Sequence, residues 1–246
     1  QPPLTKAMKK QRKEEKAINM HAKPKCHSAG AIALGDLIRG NKSLKTLNLS
    51  ANHFGAITCQ EITYALRTNG TLTELNFSRQ NDPRHPGKGI GKEGAASFAS
   101  FMATGGTKIK LRVLDLSNNG LSGTLPRNMG NMTYLKTIAL SNNRLTGTLP
   151  DTLGGCAMLE YLSMEINRLE GSIPRSFGRL SGLKWLSVYN NQLSGTVPRE
   201  LLRLPSLTHV FIQQNRLSGE RPVFANKLES YQYHQNQFVF SSKRDL

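Results

Sequence analysis

A few groups of residues in this chain have types and spacings that could do chemistry. The segment Gly89-Ile90-Gly91-Lys92-Glu93-Gly94 is a literal G-x-G-x-x-G that opens a helix. A dinucleotide site needs a strand directly before such a loop, so that the helix start faces the pyrophosphate. Here a Pro-rich insertion, RQNDPRHPGKGI, stands in its place. What remains is weak anion binding at the helix start, helped by Lys88 and Lys92. The six histidines have no metal-ligand spacing, and His21 with Cys26 and His27 is too little for zinc, which takes four ligands at a structural site. Asp115 and Glu165 fall too far apart for a tight carboxylate pair. No nucleophile stands beside a base. The chain is therefore expected to be no enzyme and to need neither cofactor nor metal.

Two other sets recur at a fixed spacing and suit binding. Tyr161, Trp185 and His209 are 24 residues apart, with Tyr189 four residues after Trp185 and Phe211 two after His209. Arg144, Arg168 and Arg216 share a second register, interrupted by Gln192, and Arg127, Arg175 and Arg199 a third, interrupted by Asp151. Aromatic rings that face solvent together are a binding hot spot in waiting. Guanidinium groups stacked about 5 Å apart along an edge suit a phosphate backbone or an acidic surface.

The spacing comes from the chain's organisation. Leu111, Leu135, Leu159, Leu183 and Leu207 follow one another at intervals of 24 residues without a slip. Each opens the pattern L-x-x-L-x-L-x-x-N-x-L-x-G-x-[ILV]-P, with variants such as Met164 and Val188 at leucine positions. L-x-L is a short strand with its apolar side inward. The Asn that follows (Asn119, Asn143, Asn167, Asn191, Asn215) can satisfy backbone groups of neighbouring turns that would otherwise be buried unpaired. One turn cannot bury its apolar face alone, so the turns must stack. The residues flanking each L-x-L point out of the core, and Tyr161, Trp185, Tyr189, His209 and Phe211 meet there on three successive strands.

These motifs resemble the leucine-rich repeat. The L-x-G-x-[IV]-P ending is similar to the plant-type 24-residue class, familiar from receptor-kinase ectodomains and polygalacturonase-inhibiting proteins. Residues 27–110 carry a second, 28-residue spacing: Leu34, Ile38 and Asn41 answer to Ile62, Leu66 and Asn69, and Leu44 to Leu72. That part resembles the ribonuclease-inhibitor type, which pairs each strand with an outer helix. Gln80 departs from the pattern by replacing the turn Asn. The resemblance implies an α/β solenoid: a curved repeat array with a parallel sheet on the concave face, helices outside the N-terminal repeats, and irregular or 3-10 segments outside the C-terminal ones. The expected divisions are a basic extension at 1–26, helix-bearing repeats at 27–110 with an insertion at 79–90, plant-type repeats and a closing repeat at 111–240, and a tail at 241–246. Eight strands are expected.

Composition bears on partners. The chain of 246 residues has 33 Lys and Arg against 16 Asp and Glu, a net charge of +17. That favours an acidic partner. The extension carries Lys6, Lys9, Lys10, Arg12, Lys13 and Lys16, lacks an apolar stripe, and is expected to be disordered alone. With the arginine registers it makes the expected surface for RNA or an acidic protein. Three scattered cysteines, without the terminal pairs that secreted plant-type repeats carry, argue for a reducing compartment. With Gln1 in place of Met, the expectation is that something upstream was cleaved, left out or not resolved, a removed organelle-targeting segment being one such case. The reading favoured by charge is a non-catalytic scaffold within a large intracellular assembly, a ribosome of cytoplasm or of an organelle such as the mitochondrion. The alternatives are a ciliary or microtubule-associated scaffold and an extracellular recognition ectodomain. The last predicts glycans on Asn41 or Asn131, two of the five N-x-[ST] sequons beside Asn48, Asn69 and Asn76.

Overall fold

The computed structural model describes residues 17–19, 28–52, 54–80, 90–104, 110–225 and 228–239. Lys6, Lys9, Lys10, Arg12, Lys13 and Lys16 lie outside the described residues, as do His21, Cys26, His27, Lys88 and Gly89.

One parallel sheet runs the length of the molecule. Its strands, in spatial order, are β1 (Ala17–Asn19), β2 (Thr46–Asn48), β3 (Glu74–Asn76), β4 (Val113–Asp115), β6 (Thr137–Ala139), β8 (Tyr161–Ser163), β10 (Trp185–Ser187), β12 (His209–Phe211) and β14 (Ser230–Gln232). Each is only three residues long because the L-x-L of one repeat supplies no more. Register is strict: Trp185 pairs with His209 on one side and Tyr161 on the other. The sheet has nine strands where eight were expected. The additional one, β1, comes from the basic extension and pairs Ala17, Ile18 and Asn19 with Thr46, Leu47 and Asn48. An exposed edge of unpaired N–H and C=O groups invites such an addition, and A-I-N matches the T-L-N it covers.

Helices α1 (Ser28–Gly40), α2 (Ala56–Leu66) and α3 (Gly91–Thr104) back the first repeats. Their inward stripes follow helical spacing: Ala31, Leu34 and Ile38; Cys59, Ile62 and Leu66; Ala95, Phe98 and Met102, all buried. Cys59 occupies the small position that Ala31 and Ala95 fill elsewhere, so its thiol is structural. Beyond residue 111 the repeat shortens and only 3-10 turns fit outside the sheet, at Met129–Asn131, Asp151–Gly155, Arg175–Arg179 and Leu201–Arg203. These turns pack so closely that a Cβ on Gly130 would lie 1.7 Å from the Thr152 carbonyl oxygen.

The flank carries a second set of strands beyond those the L-x-L pattern predicts. β9 (Glu170–Gly171), β11 (Gln192–Gly195), β13 (Arg216–Glu220) and β15 (Gln237–Val239) form one sheet, and β5 (Ser122–Thr124) pairs with β7 (Arg144–Thr146). The signal was present in x-L-x-G, where Leu145, Leu193 and Leu217 are buried between exposed or half-exposed neighbours. Once the repeats stack, their extended segments lie close enough to bond laterally.

The turn between the two sheets rests on a ladder of amides. Asn143 Nδ2 donates to the carbonyls of Leu116, Leu140 and Ser141, at 3.0, 2.9 and 3.2 Å. Its Oδ1 accepts from the N–H of Asn119 at 3.1 Å and of Leu121 at 2.9 Å. Gln80, the apparent exception, does the same work with a longer arm. Its Nε2 donates to Leu49 O at 2.7 Å and its Oε1 accepts from the N–H of Phe54 at 3.0 Å.

The residue before each ladder amide has a left-handed backbone: φ is 59° at Asn118, 54° at Asn142, 56° at Ile166 and 52° at Asn190. Asn tolerates that conformation, whereas a β-branched side chain is strained in it. Ile166 is 38% exposed, so little apolar burial opposes a change. Ile166→Asn is therefore expected to stabilise the protein by about 1 kcal/mol, read as a rise in thermal midpoint.

Candidate functional site

In-register pairing carries each outward side chain to about one strand spacing from its neighbour in the next repeat. The aromatic residues thus form a continuous stack. The Tyr161 and Trp185 rings are stacked with centroids 5.4 Å apart, and Trp185 and His209 are stacked at 4.6 Å. Phe211 meets Trp185 at 4.9 Å. Tyr161, Trp185, Tyr189, His209 and Phe211 are each half-buried, because the rings cover one another and still leave a solvent-facing surface. Of the five residues singled out from sequence, Tyr161, Trp185, His209 and Phe211 meet through their rings, and Tyr189 lies outside the stack.

By alternation the residue between the two leucines of each L-x-L also faces away from the core, and there the structure differs from open exposure. Asp115, Ala139, Ser163 and Ser187 are buried, Ser163 completely. A three-residue strand with a neighbour one strand spacing away on each side leaves the side chain at its middle little open surface. Glu165, expected on the open face, is only 6% exposed, and one carboxylate oxygen accepts from the Ser163 hydroxyl at 2.7 Å. Burial raises the Glu165 pKa, against hydrogen bonds from Ser163, its own backbone and Ser187. Asp115 is raised in the same way, by burial first. Tyr161 is raised by burial and then by the charges of Glu165 and Asp115.

The sign of the pH dependence follows. A Glu165 pKa higher in the folded than in the unfolded chain means that folding favours the protonated carboxyl. That contribution is full below the ordinary Glu value of about 4.3 and is lost as pH rises through the folded pKa. Glu165→Gln is therefore expected to raise the thermal midpoint at pH 7, with the gain shrinking as the buffer is taken toward pH 4.

Several polar atoms in this patch are buried without a hydrogen-bond partner among the described residues: Trp185 Nε1, Tyr161 Oη and Gln213 Oε1. The Gln213 amide nitrogen is held by Gln232 Oε1 at 2.9 Å, which turns the carbonyl away from that neighbour. Two donors and an acceptor thus stand beside an apolar stack. Nearby charges are largely spoken for. Glu160 bridges Lys136 at 2.8 Å and Lys184 at 2.7 Å, and those two hydrogen bonds lower its pKa. His209 Nε2 lies 3.6 Å from a Glu229 carboxylate oxygen.

The arginine registers are on the flank, away from this face. Arg127, Arg144, Arg168, Arg175, Arg199 and Arg216 are all exposed. Acidic groups interleave with them. Glu170 and Glu220 lie on the flank strands, and a groove of about 1100 Å³ containing Arg175 and Arg199 also contains Asp151, Glu200 and Glu220. The flank is a surface of mixed sign, not an uninterrupted cationic track.

The G-x-G-x-x-G has structural explanations in its described part. Gly91 has φ +64°, and a Cβ on Gly94 would lie 2.2 Å from Ile90 Cγ2. Asp115 and Glu165 are separated by the intervening strand β6. Among the described residues no group of three or more His, Cys, Asp or Glu could hold a metal ion, and no helix is long and apolar enough to cross a membrane.

A family model described as "Leucine rich repeat" matches residues 109–169 and 165–217. Among curated proteins no sequence matches. Solved structures resemble the chain more broadly. One contains the Arabidopsis receptor kinase HAESA with the peptide hormone IDA and the co-receptor SERK1, at 29% identity and TM-score 0.60 over 81% of this chain and 31% of that one. Another is the repeat ectodomain of the Arabidopsis thaliana membrane receptor kinase GASSHO1/SCHENGEN3 with CASPARIAN STRIP INTEGRITY FACTOR 2, at 27% identity and TM-score 0.56 over 75% and 23%. A third is the BIR2 ectodomain from Arabidopsis thaliana, at 29% identity and TM-score 0.50 over 55% and 71%. This chain therefore spans less than a third of the length of the first two.

Proposed function

This chain is a leucine-rich repeat protein, and we propose that it is a non-catalytic extracellular recognition module whose concave face binds an extended peptide or protein segment. The observation that carries this reading is the stack of Tyr161, Trp185, His209 and Phe211, half-buried rings that together keep a solvent-facing surface. An extended segment would lay its side chains on the rings, and Tyr189 borders the same surface.

Two of the neighbouring structures hold a partner named as a peptide hormone or an integrity factor, which supports a protein or peptide ligand here. Those neighbours also favour the extracellular alternative over an intracellular ribosomal subunit, a reading that net charge alone had suggested. The interleaved acidic groups on the flank give RNA no clear path. The experiment is selection of a displayed random peptide library on the intact protein, counter-selected on a Trp185→Ala variant. Peptides that require Trp185 support the reading. Enriched peptides that bind both proteins equally, or recovery of RNA by the purified protein in place of peptide, would sink it.

A further inference from the structure

The five sequons of this chain are alike in sequence, and the fold separates them. Resting on the extracellular reading above, we propose that Asn131 is the N-glycan acceptor when the chain passes through a secretory pathway, and that the other four are by-products of the repeat pattern.

Asn131, Gly155, Arg179 and Arg203 are 24 residues apart at the end of the 3-10 turns, and all four are exposed. Thr133, Ala157, Ser181 and Pro205 occupy the next solvent-facing position and are also exposed. Between them Met132, Cys156, Leu180 and Leu204 point into the core. The repeat thus holds the first and third residues of this tripeptide outward and anchors the second. In one repeat those outward residues are Asn and Thr, which makes Asn131-Met132-Thr133 an acceptor sequence on a fixed, solvent-facing turn. The backbone N–H of Asn131 donates to Asn128 O at 3.0 Å, so the turn is made by the main chain. Its carboxamide takes no part in a hydrogen bond among the described residues.

The remaining sequons use their side chains for the fold. Asn69 is 4% exposed, and its Nδ2 donates to Ile38 O at 2.6 Å and Asn41 O at 3.1 Å. That nitrogen is the atom a glycan would replace a hydrogen on, so a sugar there would take the place of one of these bonds. Asn41 Oδ1 accepts from the N–H of Ser43 and Leu44 and from the Ser43 hydroxyl, which ties the sequon's own hydroxyl to its own acceptor. Asn48 and Asn76 stand on β2 and β3 with a strand on either side. Their Oδ1 atoms accept from the N–H of Ser50 at 3.1 Å and of Ser78 at 3.0 Å. Transfer to a chain that has not yet folded must still be tolerated after folding, and of the five only Asn131 is exposed with a carboxamide that the fold does not use.

The chemistry requires a lipid-linked oligosaccharide diphosphate as donor. Asn131 Nδ2 forms a bond to the anomeric carbon, the bond from that carbon to the diphosphate oxygen breaks, and the diphosphate leaves with the electron pair. The amide nitrogen gives up one proton to a base of the transferring enzyme. A glycan so placed sits at the end of a 3-10 turn outside the sheet.

The test is secretion of the whole chain, behind an added signal sequence, from a eukaryotic host, followed by treatment with peptide N-glycosidase and glycopeptide mapping. The expected result is a mobility shift reversed by the glycosidase, lost in both Asn131→Gln and Thr133→Ala, and unchanged in Asn41→Gln. A folded, secreted protein without sugar on Asn131, or a shift that persists in Asn131→Gln, overturns the proposal. Native protein from its source without sugar, beside recombinant protein that carries it on Asn131, would count against the extracellular reading and not against the assignment of the acceptor.

Discussion

Trp185→Ala is expected to weaken binding of a library-selected peptide by about 30-fold or more, equivalent to ~2 kcal/mol, as read by titration calorimetry. Trp185 is the centre of the stack and touches Tyr161, His209 and Phe211, so its removal takes away the floor on which a ligand side chain would rest. It also removes an indole N–H that nothing in the described protein uses. The fold should survive, since Trp185 lies on the outer side of its strand and the core behind it is formed by Leu186 and Val188. Trp185→Phe gives a graded comparison. Stacking is retained on a smaller ring, so a smaller reduction of about 3- to 10-fold is expected from the lost apolar area. Unchanged affinity in Trp185→Ala would place the ligand elsewhere. Loss of affinity instead in a combined Arg144→Glu, Arg168→Glu and Arg216→Glu variant would point to the flank.

The largest expected loss of stability is at Asn143. Asn143→Ala removes its share of five hydrogen bonds, joining the backbone of its own repeat to the repeat before it. The N–H groups of Asn119 and Leu121 are left facing a buried methyl group. At about 1–3 kcal/mol for each stranded group, a loss of roughly 4 kcal/mol is expected in denaturant unfolding. Thr146→Ala, on an exposed position of the neighbouring strand, should change stability by less than about 0.5 kcal/mol. A small effect of Asn143→Ala would mean that water replaces the amide, and that the ladder contributes register more than stability.

The repeat was legible because it is a local pattern enforced many times over. L-x-L fixes the inward face, the ladder Asn fixes the turn, and a period of 24 fixes which side chains become neighbours, so Tyr161, Trp185 and His209 could be placed side by side before any coordinates. Gln80 was harder to read. By type it broke the pattern, yet its longer side chain reaches the carbonyl and N–H groups that an Asn reaches elsewhere. The burial of the middle column was not legible for a different reason. Alternation says which way Ser163 and Glu165 point, but it does not say how little open surface the neighbouring strands leave them. Compartment was least legible, because net charge and cysteine count are sums over the chain and carry no geometry.

The amino-acid sequence by itself determined the repeat period, the inward leucines, the change from helix-bearing to short repeats and the identity of the aromatic stack, since all of these follow from interactions within one repeat or between adjacent copies of it. Tertiary structure alone decided the rest. It added β1 at an open edge, formed flank strands once extended segments came within bonding distance, and buried Glu165 so that its carboxyl holds its proton more tightly. It also mixed acid among the flank arginines and left Asn131 free while tying up Asn69. Each of these depends on what lies beside a residue in space, at separations that no spacing along the chain records.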